Sequence, residues 1–498
     1  MGTNKRRYVT ECKSPLNPST LLATCYLLLA TCYLLLATRY SPSLTTIFNA
    51  DLLKMDIDSL LKPRKRFGVH LGLERIEKLL ANLGNPHHQV PIIHVAGTNG
   101  KGSVCAYLSS VLTQAGYTTG RYTSPHLIDW VERICLNERQ ISSDELGNLL
   151  VEVQQAINPQ EESPTQFEVF TAAAWLYFAR QKVDVAVVEV GLGGRLDATN
   201  VCAKPLVTIV TSISRDHIQQ LGSTFGAIAK EKAGILKVEC PVVIGQLPLE
   251  AEQVVREYAS ELQCPIVKPE PAKEDGDGFA YVSLETLDKT NSQLPITKLI
   301  KYSLPLKGEI QLVNSALAIA ALQIIQQQGW QISEKAIVEG IAKTKHAGRM
   351  QWVTWGGRKL LLDGAHNPGA AAALRNYVDT QVVQSDSSEV TVTWVMGMLS
   401  TKEHDRVFQT LLRANDRLHL VPVPEHSSAS EHELAELAKN ICPGLSLCET
   451  HSDLSTALST AFSSDSNLVV LCGSLYLIGN FLQNQRLGSG ELGVASSK

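Results

Sequence analysis

His94-Val95-Ala96-Gly97-Thr98-Asn99-Gly100-Lys101-Gly102-Ser103 is an apolar strand that runs through a glycine turn into a helix, and that context separates it from the ordinary glycine turns that also carry a lysine. Glycines let backbone N–H groups close around phosphate oxygens, and a helix N-terminus favours negative charge. Lys101 reaches the outer phosphates, and the Ser103 hydroxyl is placed to meet Mg²⁺ or phosphate. The spacing is GxxGKGS, shorter than the usual GxxxxGK[ST]. The segment reads as a nucleotide phosphate site.

A second element appears where such a protein needs it. Val185-Ala186-Val187-Val188-Glu189 is an apolar strand ending in a carboxylate that can ligate Mg²⁺. The next strand, Leu206–Thr211, leads into Ser212-Ile213-Ser214-Arg215-Asp216-His217. Adjacent strand ends share one crevice in an open α/β sheet, so Glu189 and His217 are both expected to face the nucleotide.

Pro91–Val95, Val183–Val190, Leu206–Thr211 and Pro241–Ile244 read as buried strands alternating with helices. The stretch from Pro265 to Pro305 is polar and turn-rich, an excursion with less regular structure. Leu312–Gln328 reads as a strong helix, and Lys343–Gly348 as a linker. A second alternating series follows at Lys359–Leu362, Val390–Val395, Leu418–Val421 and Leu468–Leu471. The expected fold is α/β, a P-loop ATPase domain followed by a smaller Rossmann-like α/β domain. Its expected parts are an N-terminal extension over 1–54, the ATP-binding domain over 55–345, the C-terminal domain over 346–485 and a frayed tail over 486–498.

Composition excludes several classes. Of 498 residues, 44% are hydrophobic and 19% charged, which is ordinary globular material. A net charge of −4 without a basic block gives no footprint for nucleic acid or an anionic membrane. Eleven cysteines without a CxxC pair suggest neither a zinc site nor a disulfide framework, and a reducing cytoplasm fits. The N-terminal extension differs from the rest. After Lys5-Arg6-Arg7 an uncharged run spans Leu21–Thr38, and LLATCYL at Leu21–Leu27 repeats unchanged at Leu28–Leu34. The run is long enough for a membrane anchor or signal. Selection on a helix preserves hydrophobicity rather than an identical heptamer, so a translated DNA repeat with a true start at Met55 is the favoured reading.

Together these residues resemble the Mur ligase superfamily, and within it the folylpolyglutamate synthase/dihydrofolate synthase branch. The resemblance rests on Gly97–Ser103, Tyr122-Thr123-Ser124-Pro125-His126-Leu127, Glu189–Asn200, Asp216-His217, Glu231-Lys232-Ala233-Gly234-Ile235, Asp363-Gly364-Ala365-His366-Asn367-Pro368 and Cys472-Gly473-Ser474-Leu475-Tyr476. They occur in family order across about Leu60 to Leu482. The resemblance implies that Asn99, Gly100, Lys101, Gly102 and Ser103 hold the ATP phosphates. Asn314, Arg349 and Asp363 are further implied ATP contacts. Ser124, Glu189 and His217 are implied magnesium ligands, with Lys232 carried as a carbamate at a second Mg²⁺ site and K⁺ as an additional candidate ion. Thr165, Gln166, Phe167, Glu168, Leu196, Asp197 and Ala198 fall where the family holds a pterin, and His366 and Ser427 near its glutamate.

The implied reaction joins L-glutamate to dihydropteroate and to tetrahydrofolate through an acyl phosphate, in a cytoplasmic monomer with neither nucleic-acid nor membrane partners. Lys101, Lys232, His217 and Arg349 carry the catalysis in that reading. A single-activity folylpolyglutamate synthase is the alternative. A cell-wall Mur ligase is disfavoured by the Tyr122–Leu127 segment, and a module that only binds nucleotide by the full set Lys101, Glu189, His217 and Lys232. Two departures from the family pattern stand out: Ile310 precedes Gln311 with Ser315 after Asn314, and Ser400–Asp405 only partly follows an acidic-lysine-acidic run.

Overall fold

The computed structural model describes residues 57–61, 71–275, 279–285, 297–384, 391–463 and 468–489. The heptamer repeat and Met55 lie outside the described residues.

The first layer is an eight-stranded sheet. Its strands are β1 (Ile92–Ala96), β2 (Thr119–Tyr122), β3 (Ile134–Leu136), β4 (Arg139–Gln140), β5 (Val185–Glu189), β6 (Val207–Val210), β7 (Val242–Ile244) and β8 (Ile266–Val267). Their spatial order is β4-β3-β2-β5-β1-β6-β7-β8. All neighbours from β2 to β8 run parallel, and β3 and β4 add an antiparallel edge.

Successive side chains of a strand point to opposite faces. Val185 and Val187 therefore enter the core beneath helices Lys101–Gln114 and Ile310–Gln327. Ala186 and Val188 enter the opposite core, against Ser143–Gln155 and Gln166–Arg180. Burial on both faces explains why these strands read as unbroken apolar runs. Among the described residues, Ile310–Gln327 has the length and hydropathy of a membrane span, yet 67% of it is buried inside the protein. Its apolar surface is already spent on packing.

The polar excursion is more regular than expected. β9 (Lys273–Glu274), β10 (Phe279–Glu285) and β11 (Thr297–Ser303) form an antiparallel sheet. Ala280, Val282, Ile300 and Tyr302 turn inward onto the first core at a spacing of two.

A helix ends at Lys343, and β12 (Gln351–Trp355) opens a six-stranded sheet with β13 (Arg358–Leu362), β14 (Val392–Met396), β15 (Arg417–Leu420), β16 (Leu447–Thr450) and β17 (Leu468–Cys472). The order is β12-β13-β17-β14-β15-β16, parallel except for the β12–β13 hairpin. The last helix, Leu475–Ser489, continues past Gln485, where the sequence suggested fraying.

Candidate active site

In the first sheet β1 lies between β5 and β6, and the three strands end at one crevice. The loop after β1 enters helix Lys101–Gln114 through Gly100, whose φ of 86° belongs to the left-handed region that glycine adopts without strain. A Cβ at Gly100 would stand 2.5 Å from Asn314 Oδ1, so the missing side chain also lets the loop approach the helix Ile310–Gln327.

A cavity of about 300 Å³ opens over this loop. Its wall includes all five residues from Asn99 to Ser103, together with Ser124, Glu189, His217 and Lys232, and Asn314, Arg349 and Asp363 close it from the other side. Lys101 Nζ donates to Thr98 O at 3.1 Å and stands 3.9 Å from Glu189 Oε1. The Ser124 N–H donates to Glu189 Oε2 at 3.3 Å. Burial pushes the Glu189 carboxyl up, while the Lys101 charge, the Ser124 N–H and Arg349 draw it back. His217, in left-handed backbone at φ 51°, caps the short helix Ile218–Leu221. Desolvation pushes its imidazole down to about 4 against the pull of Asp216, so it is neutral near pH 7.

These donors fit a divalent cation: a carboxylate, a hydroxyl and a neutral imidazole. Lys232 is the exception as it stands. Its buried Nζ donates to Gly97 O at 2.9 Å, and burial followed by Lys101 lowers its pKa to about 7.

Gln311, which follows the departure at Ile310, connects the nucleotide helix to the loop. It accepts from Asn314 Nδ2 at 3.1 Å and donates to Ser103 Oγ at 3.4 Å. Asp363 accepts from the Met350 N–H at 2.9 Å and the Ala365 N–H at 2.8 Å, and so fixes the backbone beside Arg349.

A neighbouring cavity of about 410 Å³ shares Ser124, Pro125, Gly191, Leu192, His217, His366 and Leu475 with the first. Phe167, Leu192, Leu196 and Ala198 give it an apolar wall, with Thr165, Glu168 and Asp197 alongside. Gly191 leaves room for the Phe167 ring, since a Cβ would come within 2.9 Å of Phe167 Cε1 and closer still to Cζ.

Several of the expected residues also have partners within the protein. Thr165 and Glu168 are occupied by a capping box: Thr165 Oγ1 accepts from the Glu168 N–H at 3.2 Å, and Glu168 Oε2 accepts from the Thr165 N–H at 2.6 Å. Glu168 also pairs with Arg75 at 3.0 Å. Both oxygens of Asp197 accept from its own loop, from the Leu192 N–H at 2.7 Å and from Thr199 N–H and Oγ1 at 3.0 and 2.6 Å. Gln166 is half-buried on its helix, and Ser427 is exposed in a loop; neither lines either cavity.

Other wall residues had no role assigned by sequence. Asp216 accepts from Lys402 Nζ at 2.8 Å and from Asn367 Nδ2 at 3.1 Å, with His366 Nε2 at 3.4 Å. Burial pushes its carboxyl up, but these partners outweigh it and hold the group well below the usual carboxylate range. Ser474 and Tyr476 line the second cavity, in the Cys472–Tyr476 segment that already stood out. Arg133 lines it too, stacked on Trp130 with its carbon 4.5 Å from the ring centroid, and no spacing signal announced it.

Against known proteins, a family model described as Mur ligase middle domain matches residues 95–322, and one described as dihydrofolate synthetase, C-terminal domain, matches 350–484. The dihydrofolate synthase/folylpolyglutamate synthase of Bacillus subtilis is 34% identical over 444 residues, covering 85% of this chain and 97% of that protein. Escherichia coli FolC solved in complex with DHPP and ADP superposes with a TM-score of 0.70 at 29% identity, covering 86% of this chain and 97% of that one. The bifunctional enzyme of Yersinia pestis complexed with AMPPNP and Mn ion gives 0.71 at 29% identity, with the same coverage of 86% and 97%.

Proposed function

The chain belongs to the dihydrofolate synthase/folylpolyglutamate synthase family, and from that premise we propose that it uses ATP and a divalent cation to join L-glutamate to dihydropteroate and to reduced folates. The observation that carries this reading is the shared wall of the two cavities at Ser124, His217 and His366. A flat aromatic acid in the apolar cavity can turn its carboxylate toward a phosphate held over Gly97–Ser103.

A carboxylate does not react with an amine at neutral pH until its oxygen becomes a leaving group. Transfer of the terminal phosphoryl of ATP to that oxygen gives an acyl phosphate and ADP. The glutamate amine then attacks the carbonyl carbon, and phosphate departs as the amide forms. Lys101 and Arg349 would neutralise charge on the transferred phosphoryl, a contribution of about 3 kcal/mol for one well-placed donor. Magnesium, held by Ser124, Glu189 and His217, would supply further charge neutralisation on the phosphate oxygens. Water must be excluded from the acyl phosphate, and a cavity walled from both sheets serves that end.

Finer assignments extend the same reading. Lys232 carries a carbamate toward a second cation, with K⁺ as an additional candidate. His366 approaches the incoming glutamate, and Asn314 and Asp363 position the nucleotide. The working unit is a monomer in the cytoplasm without nucleic-acid or membrane partners, with domains meeting near residue 345.

Purified protein incubated with ATP, Mg²⁺, glutamate and either dihydropteroate or tetrahydrofolate should release ADP with both acceptors and form the matching glutamate adduct. ADP release with only a UDP-linked acid would overturn the reading, and release with tetrahydrofolate alone would reduce it to a single activity.

A further inference from the structure

We propose that His419, Glu449 and His451 form a transition-metal site of the Zn²⁺ type, separate from the nucleotide cavity. The sheet builds it. His419 of β15 is the direct neighbour of Glu449 on the parallel strand β16. His451 follows Glu449 by two positions, so pleating returns it to the same face, and its N–H donates to Leu420 O at 2.9 Å.

The distances match coordination. His419 Nδ1 and His451 Nε2 are 2.9 Å apart, and Glu449 Oε2 is 3.7 Å from the first and 3.9 Å from the second. A point equidistant from the three atoms lies about 2.1 Å from each, the length of Zn–N and Zn–O bonds. This is the one cluster of three potential ligand groups found close enough among the described residues. None of the three lines the cavities of the catalytic region.

The chemistry suits a borderline ion. Two imidazoles and one carboxylate favour Zn²⁺ or its neighbours over Mg²⁺, and a water completes a four-coordinate shell. His419 is 1% exposed, so a cation held on its ring would be largely shielded from solvent on that side. Two features moderate the affinity. Arg417 lies two positions before His419 on the same face and repels a cation, though Glu449 offsets it. With metal on Nδ1, the ring proton sits on Nε2, which is buried without a hydrogen-bond partner. Micromolar binding is therefore expected. The ion would fasten the edge strand β16 to β15, where an unpaired edge is otherwise the weakest part of the sheet.

The full chain, stripped with chelator and held in saturating Mg²⁺, should bind one more equivalent of Zn²⁺ than His451→Ala, and should bind it more tightly than Glu449→Gln. With Co²⁺ it should show the intense visible absorption of a four-coordinate site, lost in His451→Ala and weakened in Glu449→Gln. Zn²⁺ should raise the thermal midpoint of the parent chain and not of His451→Ala, by linkage to the folded state. The Glu449 side chain is 44% exposed, so its conservative substitution leaves the fold intact and guards against a trivial loss. Equal Zn²⁺ stoichiometry and equal Co²⁺ spectra in parent and variants would overturn the site, leaving a histidine–histidine hydrogen bond only.

Discussion

Asn99 and Asn367 exchange two side-chain hydrogen bonds, Nδ2 to Oδ1 in each direction at 3.1 and 3.0 Å, although 268 positions separate them. One belongs to the phosphate loop and the other precedes the helix Pro368–Gln384. The pair fixes the second half of the chain against the atoms that meet phosphate. Asn367→Ala should therefore lower kcat roughly 10²-fold, the cost of a small misplacement of reacting groups, with a smaller change in KM for ATP. Steady-state kinetics beside a melting curve check it; an unchanged kcat would reduce the pair to an incidental contact.

Asp216 and Lys402 form a mostly buried ion pair at 2.8 Å, each side chain 11% exposed. Lys402→Ala removes one partner and leaves a buried carboxylate undercompensated. Denaturant titration should show a loss of about 3 kcal/mol. Double replacement with Asp216→Asn should recover part of that loss.

Asp197→Ala leaves the Leu192 and Thr199 N–H groups without their acceptor, at a cost of about 2 kcal/mol. Turnover of dihydropteroate and of tetrahydrofolate should fall together, as a displaced loop predicts. A loss confined to dihydropteroate would instead mean that the carboxylate meets the pterin directly.

His94 and His126 are both pushed down to about 3, chiefly by burial, against about 6.5 in an unfolded chain. Between those values the unfolded state binds more protons, so stability rises with pH there. The contribution is complete above about pH 6.5 and fades as pH falls toward 3. Melting temperatures measured from pH 7.5 to 4.5 should decline steadily, and His94→Gln should flatten the curve.

Lys232, lowered to about 7, is increasingly the neutral amine as pH rises past that value. The neutral amine can add CO₂ and release a proton, giving the carbamate. Protein in ¹³C-bicarbonate at pH 8 should show a carbamate carbon resonance that Lys232→Ala lacks. Lys232→Ala should lose roughly 10³-fold in kcat, in the range for one charge-stabilising group, with partial recovery on adding short carboxylic acids. A parent spectrum without that resonance would leave an ammonium bound to Gly97 O.

Much of this was legible because it is local. The buried run Ile92–Ala96 and the glycine turn after it announce a strand, a loop and a helix within one short segment. β2 was not legible: Thr119-Gly120-Arg121-Tyr122 lacks an apolar run, and its burial comes from neighbours on both sides. β10 and β11 alternate inward and outward, but turn residues around them obscure the period. At the site, Lys101 and Glu189 were readable because each follows or ends a buried apolar strand, whereas Ser124 entered only through the resemblance of Tyr122–Leu127. Thr165 and Glu168 line the second cavity and also close a capping box, two uses of the same polar residues that sequence alone does not separate. Lys402 and Asn367 were invisible as partners of Asp216, since only folding brings such distant positions together.

The join at Asp216 and Asn99 has a consequence for inheritance. Exchange of gene segments with a breakpoint between His217 and His366 would set one parent's Asn99 and Asp216 against the other parent's residues at 367 and 402. Chimaeras should work only where the donor also carries asparagine and lysine at those two places, and drift at either end of a contact should draw a matching change at the other. The eight-stranded and six-stranded sheets pack separate cores, yet these contacts would make the segments on either side of such a breakpoint depend on each other.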